Sequence, residues 1–483
     1  MHILPDSHSR LQALETRLRQ ELVWLALPAK HWVPARVENG ARILDVAIVG
    51  GGMLGLVSCA ALRNIGIANV QIFDKAMEGR EGPWVTSARM ETLRTRKEAA
   101  GTALGIPALT FRAWFEAQYG AAAFEEMHLV PRLMWMDYLL WYRRVLDLPV
   151  ENGSEITAIN LTDGGLVELT RVRDGVSDTI LARRVILATG IDGLGQPAVP
   201  SIAQSISPER MAHSYDVFDI NTLVGKRVAI VGAAASAMDN AAAALEAGAA
   251  RVDIFIRRPT MPRVDKFTGT GSRGMTYGFL GLPDDVKWRF MAEGERFQLP
   301  APRHSVLRVS RHDNAHFHFA SPITGLREIQ DHLEITTPKN TYDADFIIFA
   351  TGFSVDFSAR RELGTLDPHV KRWADAYTPP AELQNRGLSQ MPYLGPGFEF
   401  LPRDGSPGAI SNIYCFSLPA VMTHGKITSG IPSIGEGATR LAQSLARSIF
   451  VEDRDIHLQN FLDYDIPELL GDEWIEADQD ISA

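Results

Sequence analysis

Two stretches of this chain set small residues where a backbone has to approach a phosphate closely. The first reads Asp45-Val46-Ala47-Ile48-Val49-Gly50-Gly51-Gly52-Met53-Leu54-Gly55. An apolar run suited to a buried strand ends at Gly50, whose freedom in φ lets the chain turn sharply. Gly52 leaves its backbone open to a pyrophosphate, and Gly55 lets the following helix lie close against the strand. That helix points its positive N-terminal end at the phosphates. Asp74 stands about two dozen positions further on, at the end of the run Val70-Gln71-Ile72-Phe73. A carboxylate there accepts hydrogen bonds from ribose hydroxyls. Strand, turn, helix and acid together predict an FAD site.

The second stretch is Arg227-Val228-Ala229-Ile230-Val231-Gly232-Ala233-Ala234-Ala235-Ser236-Ala237. Gly232 keeps the first position, Ala234 and Ala237 replace the other two glycines, and Ser236 joins the candidate cofactor ligands where the helix opens. The next strand, Val252 to Ile256, ends in Arg257-Arg258-Pro259 instead of an acid. Two cations at that point suit the 2′-phosphate of NADP, which a carboxylate would repel. A solvated basic pair at a strand end is the alternative. A chain with both sites is suited to passing electrons from a nicotinamide to a flavin.

The elements that must position these residues follow from hydrophobic spacing. Residues 44–75 form one strand–turn–helix–strand unit and 226–258 a second. The fold class is therefore α/β, with two Rossmann-like dinucleotide-binding domains. Alternating stretches within 154–187, broken at Asp163-Gly164-Gly165 and Asp174-Gly175, predict a small β-meander. Ala188-Thr189-Gly190 and Ala350-Thr351-Gly352 each follow an apolar strand. They read as the two crossings between domains, with Thr189, Thr351 and Gly352 beside a cofactor. The chain thus divides into an N-terminal helical extension (1–43), a first part of the FAD domain (44–200), an inserted NADPH domain (201–345), and a second part of the FAD domain with a C-terminal helix (346–483). In the extension, Ser9 is expected to cap a helix over 9–27 with Leu11, Leu14, Leu18, Leu22 and Leu25 on one face. Residues 131–146 read as a helix, 259–325 as mixed loop and helix, and 376–410 as a surface-crossing connection. A last helix begins near Gly435, where its N-terminus is expected to face the flavin. The acidic tail after Leu470 reads as a mobile end.

Composition narrows the function. The chain has 483 residues, 46% hydrophobic and 22% charged, as in an ordinary globular protein with a large core. A formal net charge of −10 argues against a nucleic-acid partner. No apolar run approaches the roughly 18 residues of a membrane span. The N-terminus lacks the basic-then-apolar layout of a signal peptide, so a cytoplasmic enzyme of small molecules is expected, and a homo-oligomer is compatible with that. Cys59 and Cys415, the 2 cysteines, lie far apart in the sequence and make no Cys-x-x-Cys pair, which excludes the dithiol chemistry of a disulfide reductase. No His-Glu-x-x-His spacing occurs, and no metal site is expected.

Three further segments complete the pattern: Gly82-Pro83-Trp84, His213-Ser214 ahead of the second motif, and Asp345-Phe346-Ile347-Ile348-Phe349-Ala350-Thr351-Gly352-Phe353. With both nucleotide motifs, the chain resembles the class B flavin-dependent monooxygenases from about residue 44 to 450. That family includes flavin-containing, N-hydroxylating and Baeyer–Villiger monooxygenases. The resemblance implies that NADPH reduces FAD and that the reduced flavin takes up O2 as a C4a-hydroperoxide. One oxygen then passes to a small nucleophilic substrate containing nitrogen or sulfur, and the other leaves as water. It implies that Trp84, Arg89 and Arg94 lie beside the flavin. It also implies that His213 serves the domain interface or the nicotinamide. Ordinary core aromatics, ion-pair formers and a structural histidine are the plainer roles for the same residues. Ser207 and Glu209 depart from the Phe and Gly that precede the family's His, no Trp-Pro follows His213, and Arg94 replaces a frequent Asn. These departures turn the expectation from ketone oxidation toward nitrogen or sulfur oxygenation. Baeyer–Villiger oxidation, an NADPH-dependent flavin reductase or oxidase without oxygen transfer, and a non-catalytic scaffold are the alternatives.

Overall fold

The computed structural model describes residues 2–38, 40–428 and 430–474. The first helix, α1 (Ser7–Trp24), starts earlier than its leucine spacing indicates, with Asp6 and not Ser9 at its N-cap. Leu4 N–H donates to the Gln118 carbonyl and pins the start. The Ser9 hydroxyl, already inside the first turn, donates back to the Asp6 carbonyl. Leu14 and Leu18 bury the inner face of α1, while Leu25 lies beyond its end and is exposed.

The first lobe grows from β1 (Leu44–Val49), α2 (Met53–Asn64) and β2 (Val70–Phe73). The two strands run parallel, with Val46 beside Val70 and Val49 beside Phe73. Helix α3 (Arg132–Val145) buries Trp135, Tyr138 and Tyr142 on one face. The meander β3 (Ser154–Leu161), β4 (Val167–Arg173) and β5 (Val176–Leu187) is present but is no separate body. The early residues of β5 pair antiparallel with β4, and its fully buried end pairs parallel with β1. One long strand thus fuses the meander to the nucleotide unit.

The chain then crosses at Ala188–Gly190 into β6 (Gly195–Pro197) and a second lobe. There β7 (Met211–His213), β8 (Arg227–Val231), α4 (Ala235–Ala247) and β9 (Arg251–Phe255) are followed by α5 (Arg303–Ser310), β10 (Ala315–His318) and β11 (Phe346–Phe349). The five strands are parallel, in the order β7-β11-β8-β9-β10. Two expectations are corrected. The stretch 259–325 contains a sheet strand, β10, which the polar look of His316 and His318 conceals. His318 is accommodated because its ring bonds Asp253 of β9 at 2.7 Å and stacks on Phe255. The domain boundary also moves from 345 to beyond Phe349, because β11 lies between β7 and β8, anchored where Arg227 N–H donates to Asp345 at 2.7 Å.

The return crossing, Ala350–Gly352, leads into β12 (Phe353–Val355), which pairs antiparallel with β6. Gly195 is required in this ribbon, since a Cβ there would lie 1.8 Å from the Ser354 carbonyl oxygen. The segment 376–410 does not merely cross the surface. Its prolines and glycines interrupt helices, yet Leu388, Leu394, Phe398 and Phe400 are buried in two core clusters. Strand β13 (Ile413–Cys415) then joins β5, and α6 (Ile434–Glu452) packs on α2. A short helix over Arg454–Leu462 follows the expected last one, and most of the acidic tail lies outside the described residues. Among the described residues no helix is long and apolar enough to cross a membrane.

Candidate active site

A cleft of about 870 Å³ lies between the lobes and takes its walls from both glycine-marked units. Gly50 sits at φ +108°, where a Cβ would lie 2.5 Å from the Ala188 carbonyl oxygen. A Cβ on Gly55 would come within 1.9 Å of the Gly50 carbonyl oxygen, so α2 lies against its strand as only glycine allows. Gly52 caps α2 without a side chain, and a Cβ there would meet nothing nearer than 3.8 Å. The first N–H groups of α2 therefore face open cleft, a cradle that fits a pyrophosphate and that any larger side chain would fill. Asp74 lines the same cleft. Its carboxylate accepts from Gly51 N–H and Ala76 N–H, both at 2.7 Å, which braces the turn and leaves lone pairs for a ribose.

Trp84 and Arg89 continue the wall. The Trp84 carbonyl accepts from the Arg132 guanidinium. Arg89 donates to the Phe218 carbonyl at 2.6 Å and lies 4.8 Å over the Phe218 ring, while its Nε is buried without a partner. Burial, and then the charge of Arg132, push the Arg89 guanidinium below its ordinary pKa. Arg94 is placed differently: it is exposed, pairs with Asp265 at 3.5 Å and does not line the cleft. His213 is buried behind the wall at the end of β7, edge-on to Phe353, while Ser214 and Tyr215 line the cleft. Burial lowers the His213 pKa and keeps the ring neutral.

In the second unit Gly232 turns at φ +142°, and Ala234 caps α4 without a side-chain bond. Ser236 is exposed to the cleft. Arg257 is exposed and Arg258 half-buried, and neither makes an ion pair among the described residues. The crossing threonines are occupied: Thr189 donates to the Gly193 carbonyl at 2.9 Å and Thr351 to the Ala198 carbonyl at 2.6 Å. Gly352 turns at φ +81°. Gly435 is packed inside α6 against the Gly101 carbonyl, and it is Thr428, earlier in that loop, that lines the cleft. The structure adds Asp239 and Asn240 to the cleft. Their spacing of three and four from Ser236 places all three on one face of α4, a signal present in the sequence. Cys59 and Cys415 are buried, with thiols pushed up to about 12 and about 11, and are inert.

Residues 47–268 match the family model described as pyridine nucleotide-disulphide oxidoreductase. Over its length, the chain is 38% identical to the FAD-dependent urate hydroxylase of Xanthomonas campestris pv. campestris, with 98% of this chain and 100% of that protein covered. The chain belongs to the family of this FAD-dependent urate hydroxylase. It is an FAD-dependent oxidoreductase. Its fold is similar to that of the ornithine N-hydroxylase of Kutzneria sp. 744, solved with reduced FAD, NADP+ and L-ornithine (TM-score 0.64, 17% identity, 84% of this chain and 99% of that one). It is also similar to L-lysine 6-monooxygenase of Pseudomonas syringae (TM-score 0.63, 15% identity, 84% and 99%).

Proposed function

We propose that this enzyme uses NADPH and O2 to hydroxylate urate or a closely related oxidised purine. The observation that carries the reading is the cleft walled by both nucleotide units, in a chain related along its whole length to a urate hydroxylase. Gly50, Gly52, Gly55 and Asp74 would hold FAD, with its pyrophosphate at the opening of α2. Gly232, Ser236, Arg257 and Arg258 would hold NADPH, the two cations neutralising its 2′-phosphate. Bound there, FAD supplies the chemistry: two electrons from NADPH and one O2 give one oxygen atom to the substrate and one to water.

The chain's own residues do the rest. Trp84 would wall one side of the site, its carbonyl held by the Arg132 guanidinium. Arg89 places a poorly solvated positive charge at the wall, where an anionic substrate gains most from it. Neutral His213 positions the Ser214–Tyr215 turn, its Nδ1 accepting from Tyr215 N–H at 3.3 Å. Urate is a nitrogen heterocycle that is anionic at neutral pH and nucleophilic in its ring, within the class of small nitrogen-containing nucleophiles expected from the sequence. The test is urate-stimulated oxidation of NADPH with O2 uptake and peroxide followed together. One urate lost per NADPH and per O2, with little peroxide, is the expected result. NADPH consumption that yields only peroxide, with or without urate, would overturn it.

A further inference from the structure

Three polar atoms on the cleft lining are buried and have no hydrogen-bond partner: Arg89 Nε from the first lobe, and Asp239 Oδ1 and Asn240 Oδ1 from α4. Leaving a buried polar atom unpaired is costly, so three in one cleft call for a polar ligand. Asn240 is the clearest case, at 2% exposure. Its Nδ2 donates to the Ser236 carbonyl at 2.9 Å. A carbonyl only accepts, which fixes the amide and leaves Oδ1 as a free acceptor. Asp239 Oδ1 lies 3.8 Å from Arg308, too far for a hydrogen bond. Arg308 cannot turn to it, being held by Glu246 at 2.6 Å.

The electrostatics select the kind of ligand. Burial, and then the charge of Arg132, depress the pKa of Arg89, and of these two guanidiniums it is Arg89 that lines the cleft. A planar anion bearing adjacent ring N–H and C=O groups would be attracted and could be paired at its edge. Asn240 also lies about 6 Å along α4 from Ser236, one turn past the end suited to a pyrophosphate.

We propose that Arg89 and Asn240 are the substrate-recognition pair of this cleft, Arg89 donating to and neutralising an anionic oxo-heterocycle while Asn240 accepts from its ring N–H. The proposal rests on the hydroxylase reading above and names the residues that select its substrate.

The test compares the flavin-loaded wild type with Asn240→Leu, which keeps the volume and removes the acceptor, and with Arg89→Lys, which keeps the charge and removes Nε. Each variant is expected to raise the KM for urate about tenfold, equivalent to ~1.4 kcal/mol. The KM for NADPH should move less than about twofold, and more of the electrons should appear as peroxide. Asn240→Ser is read in the same way if the leucine variant does not fold. An unchanged KM for urate, or a larger rise for NADPH than for urate, overturns the assignment while the hydroxylase reading stands. A wild type whose NADPH oxidation ignores urate overturns both.

Discussion

In the first nucleotide unit, α2 lies so near its strand that a Cβ on Gly55 would be 1.9 Å from the Gly50 carbonyl oxygen. In the second, Ala237 holds the corresponding position as a fully buried methyl, and Ala234 replaces the middle glycine. The strand ends differ as well. Asp74 is tied into its own turn through Gly51 and Ala76, whereas Arg257 and Arg258 make no ion pair among the described residues. The first unit is tight and internally braced, which fits a cofactor that stays through many turnovers. The second is looser and carries uncommitted charge, which fits a nucleotide that docks and leaves. On the proposed assignment, the same supersecondary plan serves residence in one place and exchange in the other.

The largest effects are expected where the first unit has no room. Gly55→Ala should destabilise the fold by roughly 3 kcal/mol and lose flavin, because backbone must move. Gly52→Val should fold with a near-normal Tm, since its Cβ meets nothing nearer than 3.8 Å, yet bind FAD about a hundredfold more weakly, ~2.8 kcal/mol. Flavin absorbance per chain, read beside thermal melting, separates the two. A Gly52→Val protein that purifies fully yellow would remove the cradle at α2. An intermediate effect is expected at Arg257→Ala: kcat/KM for NADPH should fall by roughly 1.5–3 kcal/mol while that for NADH barely changes. Equal losses for both nucleotides would erase the contrast between the strand ends. The smallest effect is expected from Ala234→Gly. Glycine is no worse than alanine at an N-cap, so stability should shift by less than about 0.5 kcal/mol. The KM for NADPH should fall about twofold as the pyrophosphate settles closer. An increase would show that the alanine is no hindrance.

What the sequence made legible is local. Both nucleotide units were readable because a buried parallel strand, a glycine turn and a helix follow one another without interruption, and β1, α2 and β2 lie where the apolar runs put them. Strand β10 was hidden because His318 draws its partner, Asp253, from another strand, a pairing no local pattern announces. The boundary at 345 stood a few residues ahead of the crossing read at Ala350-Thr351-Gly352, and the register of Phe346–Phe349 beside Val228–Val231 agrees with the crossing. Within the site, position along the family pattern located Trp84 and Arg89 on the cleft, but it could not show that Arg94 turns to Asp265. The orphaned acceptor of Asn240 depends on which neighbours fail to reach it, and absence of a partner has no signature in one dimension.

The ribbon of β6 and β12 has a consequence for the architecture as a whole. The points where the chain leaves and rejoins the first lobe are held side by side, with Ala198 N–H bonded to the Gly352 carbonyl at 2.9 Å. A stem of that kind makes the nucleotide lobe an insertion in which no strand of the first sheet is interrupted, and what ties it down beyond the two stubs is the core that Phe279, Trp288 and Met291 share with Trp373, Leu388 and Met422.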